Sequence, residues 1–157
     1  MKFTLVKDLK SDDVMRPVLT SVLFFSFIYL ISDFFVKHSG FGITPDTIKL
    51  TLLGDEQQYL DPMSKNVFLE FWHSEIFFVM FICFIISTVY IRTSSASKVA
   101  IIFVNIMLVC AIISLISLPL SFFYSELFIY LYLVSFYLWH LFGLIASILS
   151  LKVLNFA

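Results

Sequence analysis

Glu70 and His73 stand three residues apart, a Glu-x-x-His spacing that places a carboxylate and an imidazole on one face of a helix. Asp33, near the end of an earlier apolar run, lies at a similar depth: about 5 Å below the end of its helix, against about 9 Å for His73. With His38 from the following loop, these side chains make a candidate carboxylate and imidazole cluster that could bind a divalent metal or relay protons. Set against this is a hydrogen-bonded network that only fixes helix packing, with Glu70 reaching water. Di-iron carboxylate bundles use Glu-x-x-His twice, and this chain has it once. Glu75 points to nearly the opposite side of the same helix.

A second polar stripe, Tyr130, Tyr137, His140 and Ser147, falls within about 100° on one face of the last apolar run. His140, roughly 20 Å from the outer end of that run, is placed past the midplane. A neutral imidazole there takes a hydrogen bond from a neighbouring helix or serves as an axial ligand of haem b. A haem shared by His73 and His140 fails on geometry, because their depths differ by about 11 Å while two axial ligands of one iron are about 4 Å apart. Cys83 and Cys110 both fall inside apolar runs without a CxxC, so they read as small hydrophobes. The chain has no GxxxxGK[ST], HExxH or GxSxG, and a non-enzymatic role is expected.

These residues must be held by an unusually apolar chain. Of its 157 residues 61% are hydrophobic and 13% charged, with a mean hydropathy of +1.01, a composition that suits a bilayer and no aqueous core. Four runs, at about 17–36, 67–91, 99–118 and 127–151, are each long enough to cross, which predicts an all-α polytopic membrane protein: one domain, four transmembrane helices in an antiparallel bundle. The N-terminal MKFTLVKDLKSDD is too polar for a signal-peptide core, so the first run is expected to be retained behind a short amphipathic lead-in and a cap at Ser11-Asp12-Asp13. Lys2, Lys7, Lys10, Arg16, Arg92, Lys98 and Lys152 fall on one side and Lys37, Lys49 and Lys65 on the other, which puts both termini in the cytoplasm. A net charge of −1 with scattered basic residues excludes a nucleic-acid partner.

The connections differ in kind. RTSSASK at 92–98 is a plain hairpin, and Pro119 is expected to break the third span before Tyr124-Ser125-Glu126 leads into the fourth. The outer loop, 37–66, is longer than two neighbouring helices need. In it His38 to Gly42 reads as a turn, and Thr44-Pro45 starts a helix that stops at Gly54 and whose Ile48 and Leu52 lie on the membrane surface. Ser64 is placed to cap the second span. Four glycines and no GxxxG predict packing on larger side chains.

From Lys37 to Met80 the string KHSGFGITPDTIKLTLLGDEQQY…VFLEFWHSEIFFVM resembles a stretch of uncharacterised four-helix bacterial inner-membrane proteins. There a Gly-x-Gly-x-Thr-Pro loop precedes a helix opening with Leu-Glu-x-x-His-x-His-x-Phe. Glu70 and His73 match that pattern, while Glu75 stands where it has its second histidine, a departure that counts against a two-histidine site. The resemblance implies a multi-pass protein of the bacterial inner membrane. Together these readings lead to an accessory or small membrane subunit in contact with lipid, its outer loop docking another membrane protein, a periplasmic protein or a second copy. A haem- or metal-binding redox protein and an oligomeric channel or transporter, with the Tyr130 to Ser147 stripe on its axis, are the alternatives.

Overall fold

The computed structural model describes residues 13–156. Four helices carry the chain back and forth: α1 (Met15–Gly40), α3 (Lys65–Thr93), α4 (Lys98–Phe123) and α5 (Phe128–Phe156), each long and apolar enough to span a bilayer. A short α2 (Pro45–Leu53) and a single 3-10 turn (Glu56–Gln58) fill the long connection after α1. The four spans and the α2 helix stand where the hydropathy and the Thr-Pro start place them. Every span is longer than the apolar run that predicted it. Val14 is the N-cap of α1 and makes no side-chain cap bond. The expected lead-in, with Ser11 and Asp12 of the expected cap, lies outside the described residues.

Local chemistry explains the helix ends. Thr44 and Thr47 form a reciprocal capping box around Pro45, and Gly54 closes α2 with a φ of 71°. Ser64 caps α3 by accepting from the Val67 N–H, as its position foretold. The turn expected at His38 to Gly42 comes later. Helix α1 runs through Gly40, and the Phe41 and Gly42 N–H groups both close onto the Lys37 carbonyl. Gly42, at φ 98°, takes a left-handed conformation where a Cβ would strike the Thr47 side chain.

Two packing expectations are corrected. Pro119 does not end the third span, since α4 continues to Phe123 around it. Proline has no N–H to give to the residue four positions back, Leu115, and the Trp72 indole of α3 donates to that carbonyl at 2.9 Å instead. Ile48 and Leu52 do not lie on lipid. Both are fully buried against Phe41, Phe68, Leu118, Ile129 and Phe136, so α2 lies over the end of the bundle with its apolar face inward.

Helix α5 touches every other span and α2, and its closest neighbour is α4. Both helices bury small residues: Ala111, Ser114, Ser117 and Ser121 on α4, and Ser135, Ala146, Ser147 and Ser150 on α5. Across the pair, Phe103 of α4 meets Phe142 of α5 edge to face at 4.4 Å, packing on larger side chains as the four glycines predict, though not every phenylalanine packs this way. Many phenylalanines face outward instead, among them Phe25, Phe35, Phe77 and Phe84. Outside the membrane that pattern would be costly; against lipid it is neutral.

Candidate functional site

Three helices bring four ionisable side chains together within the loop-one half of the bundle. On α1, Asp33 and Lys37 are one turn apart, with Lys37 Nζ 3.2 Å from Asp33 Oδ2. From α3, Glu75 Oε2 accepts from the same ammonium at 2.5 Å. From α5, His140 Nε2 lies 2.9 Å from Asp33 Oδ2, the oxygen that also faces Lys37. The chain therefore reads Glu75, Lys37, Asp33, His140, with Lys37 serving both carboxylates. Side-chain exposure is 3% for Lys37, 5% for His140, 9% for Asp33 and 12% for Glu75.

Aromatic rings complete the enclosure. The Lys37 ammonium sits 4.7 Å over the Phe136 ring, and His140 lies between Phe136 and Trp139, at 4.1 and 3.8 Å between ring centroids. One turn toward loop one from Lys37, Glu75 and Phe136 come Phe41, Phe71 and Tyr132. Phe41 stacks on Phe71 at 4.9 Å and meets Tyr132 edge-on at 6.0 Å. One turn the other way from Asp33, Glu75 and His140 come Leu30, Val79 and Gly143; the bare Cα of Gly143 faces the Leu30 side chain, which a Cβ would crowd. The ion chain is thus sandwiched between an aromatic layer and an aliphatic one.

The hydrogen bonds fix the number of protons. His140 Nδ1 is 3.0 Å from the Phe136 carbonyl, which can only accept. Nδ1 must therefore carry a hydrogen. Nε2 faces a carboxylate oxygen, so one further proton is needed there, either on Nε2 as an imidazolium against a carboxylate or on Asp33 donating to a neutral ring. Both forms leave the four groups with no net charge, which a low-dielectric site favours.

The structure regroups the residues singled out by sequence. Asp33 is in the site, yet among the described residues it meets His140 and Lys37 rather than His73. Glu70 and His73 are exposed on the outward face of α3, and His38 is exposed on the last turn of α1. Among the described residues no three His, Cys, Asp or Glu side chains stand close enough to hold a metal ion, so the expected Glu70, His73, Asp33 and His38 cluster is not assembled. Haem ligation by His140 does not fit either, since both ring nitrogens already have partners. The Tyr130 to Ser147 stripe splits: His140 and Ser147 turn inward, while Tyr130 and Tyr137 are exposed, Tyr137 donating to the Ile43 carbonyl at 2.6 Å.

That last bond accounts for the meeting of His140 with Asp33. Tyr137 is nine residues into α5 and still reaches the connection beyond α1, so the first turns of α5 rise above the end of α1. Outside the site, Lys49 of α2 and Glu126 pair at 2.5 Å across this raised end, and the Glu126 carboxylate pushes the Lys49 pKa up. Lys37 and Glu75 were missed as site residues. The spacing of Asp33 and Lys37 was the available signal, obscured because the apolar run stops one residue short of Lys37.

Neither a curated protein nor a solved structure matches the chain. A family model described as a transmembrane helical domain, Aq_1264_TM, matches residues 42–157, a stretch that holds Glu75 and His140 but neither Asp33 nor Lys37. With most of its length inside that match and four helices fit to cross a bilayer, the chain is an integral membrane protein and belongs to the Aq_1264_TM family of transmembrane helical domains.

Proposed function

We propose that this protein is a non-enzymatic membrane subunit whose working part is the buried chain of Glu75, Lys37, Asp33 and His140, and that this chain takes up and releases a proton. The observation that carries the reading is the His140 ring held between two acceptors inside a sealed, neutral set of four groups. Removing the shared proton would leave Lys37 facing two carboxylates and one net negative charge in a low-dielectric site. Such a state is stable only if water or a counter-charge enters. Proton release is then coupled to separation of the Phe41, Phe71 and Tyr132 layer, which closes the site toward loop one. Nitrogen-15 NMR of His140 in lipid bilayers tests this. The ring nitrogens should report one proton exchanged as pH is raised, with the response lost in Asp33→Asn; a His140 spectrum unchanged between roughly pH 4 and 10 would overturn the proposal.

A second reading gives loop one a partner, and one feature favours it. Tyr59 is 94% exposed at the tip of the loop, in a left-handed conformation with φ 55°, where Asp55 and Leu60 pair as a single antiparallel bridge. An exposed aromatic on a fixed turn is the kind of residue that anchors a protein interface. The partner would be a periplasmic or membrane protein or a second copy, with the protein in a bacterial inner membrane and both termini cytoplasmic, as the Lys and Arg bias supports. Reporters fused after Gln58 and after Ser95 should read as periplasmic and cytoplasmic respectively; the reverse pattern would reject the orientation. Loss of a co-purifying partner on Tyr59→Ala would support docking, and an unchanged set of partners would count against it.

A further inference from the structure

One side chain on the lipid-facing side of α4 is out of place in hydrocarbon. Asn105 is exposed, and its amide makes no hydrogen bond among the described residues, whereas Asn155 of α5 turns its own back to the Leu151 carbonyl. With about 30 Å of hydrocarbon centred on the 26 residues of α4, Asn105 lies about 7 Å inside the boundary on the side of the α3 to α4 connection. A lysine could reach water from that depth, but an asparagine side chain is too short. In lipid alone its two N–H groups and its carbonyl stay unpaired, a costly state. The residues in line with it form a pattern. Ile102, Asn105, Val109, Ile112 and Ile116 follow one another at spacings of three, four, three and four, the period of a left-handed helix seam. Its four apolar members are β-branched and each more than half exposed, so they are already held in few rotamers and lose little freedom when a helix packs on them.

We propose that this seam packs against α4 of a second copy, the two Asn105 amides hydrogen-bonding to each other across a twofold axis along the membrane normal. Two copies inserted in the same orientation can set their α4 helices side by side and parallel, with both Asn105 residues at one depth. An amide is its own complement, because each can donate an N–H to the other's carbonyl. A lipid acyl chain offers neither group, and an ester offers carbonyls alone and would leave the Asn105 oxygen unpaired. The period of the seam also calls for a helix rather than a flexible chain. A single asparagine on an otherwise apolar seam fixes the register of the pair and the number of helices in it.

Förster transfer between donor- and acceptor-labelled copies of the full chain, diluted in lipid vesicles, measures the association. The unaltered protein should saturate at one partner per copy. Asn105→Val, which keeps the seam β-branched and removes only the amide, should weaken association by about five- to thirtyfold, the change expected of a hydrogen bond between membrane helices. Contact is read separately by crosslinking. With Cys83 and Cys110 replaced by alanine, Ile112→Cys on the seam should form an intermolecular disulfide under mild oxidation, and Ile106→Cys, beside the seam, should form far less. Undiminished association of Asn105→Val, or equal crosslinking of the two cysteine variants, would overturn the proposal. A monomer at every dilution would also overturn it and leave this face of α4 to lipid.

Discussion

Two faces of α3 carry similar residues and meet opposite fates. Glu70 and His73 point outward and are exposed, while Trp72 and Glu75, on the other side of the same turns, are held by Leu115 and Lys37. In water the apolar face of a helix announces which side is buried. In a membrane both sides are apolar, so a polar side chain turns toward whichever neighbour offers a partner, and partners are supplied by other helices. Lys37 and the free carbonyl above Pro119 decide the orientation of α3; the Glu-x-x-His spacing does not.

The largest effect should come from removing the cation that both carboxylates share. Lys37→Met leaves Asp33 and Glu75 buried without it, and a loss of about 3–5 kcal/mol in detergent-unfolding experiments is expected. On the outward face, Glu70→Gln and His73→Ala should stay within about 0.5 kcal/mol of the unaltered protein. Comparable losses on both faces would erase the distinction.

Trp72 sharpens the comparison at a smaller scale. Trp72→Phe keeps an aromatic ring and leaves the Leu115 carbonyl unpaired, at a cost of about 1–3 kcal/mol. In a Pro119→Ala background the helix satisfies that carbonyl itself, so the same change should cost clearly less. Equal costs in the two backgrounds would mean that the indole acts through packing alone. The smallest effect belongs to Lys49→Ala on the exposed rim of loop one. Its pair with Glu126 is half exposed, so the change in melting temperature should be slight and should vanish in high salt.

The spans, the N-cap at Thr44 and the cap at Ser64 were legible in the sequence because hydropathy and helix-end chemistry are local. The site was legible only in part. Asp33 and His140 stood out as ionisable residues in apolar runs, but their meeting depends on how far α5 rises beyond α1, which no single helix records. Lys37 was read as a loop residue because the apolar run ends at Val36, although the helix continues to Gly40. Ile48 and Leu52 showed the right periodicity for a surface helix, and the same periodicity serves a helix laid over the end of a bundle.

The central claim is that Asp33 of α1 and His140 of α5 act as one unit, and a double-mutant cycle in unfolding experiments tests it most directly. Asp33→Asn and His140→Gln should each destabilise the protein, and the pair together should cost less than their sum by about 1–3 kcal/mol. The matching cycle of Asp33→Asn with His73→Gln should be additive to within about 0.5 kcal/mol. Additivity of Asp33 with His140, or coupling of Asp33 with His73, would contradict the account.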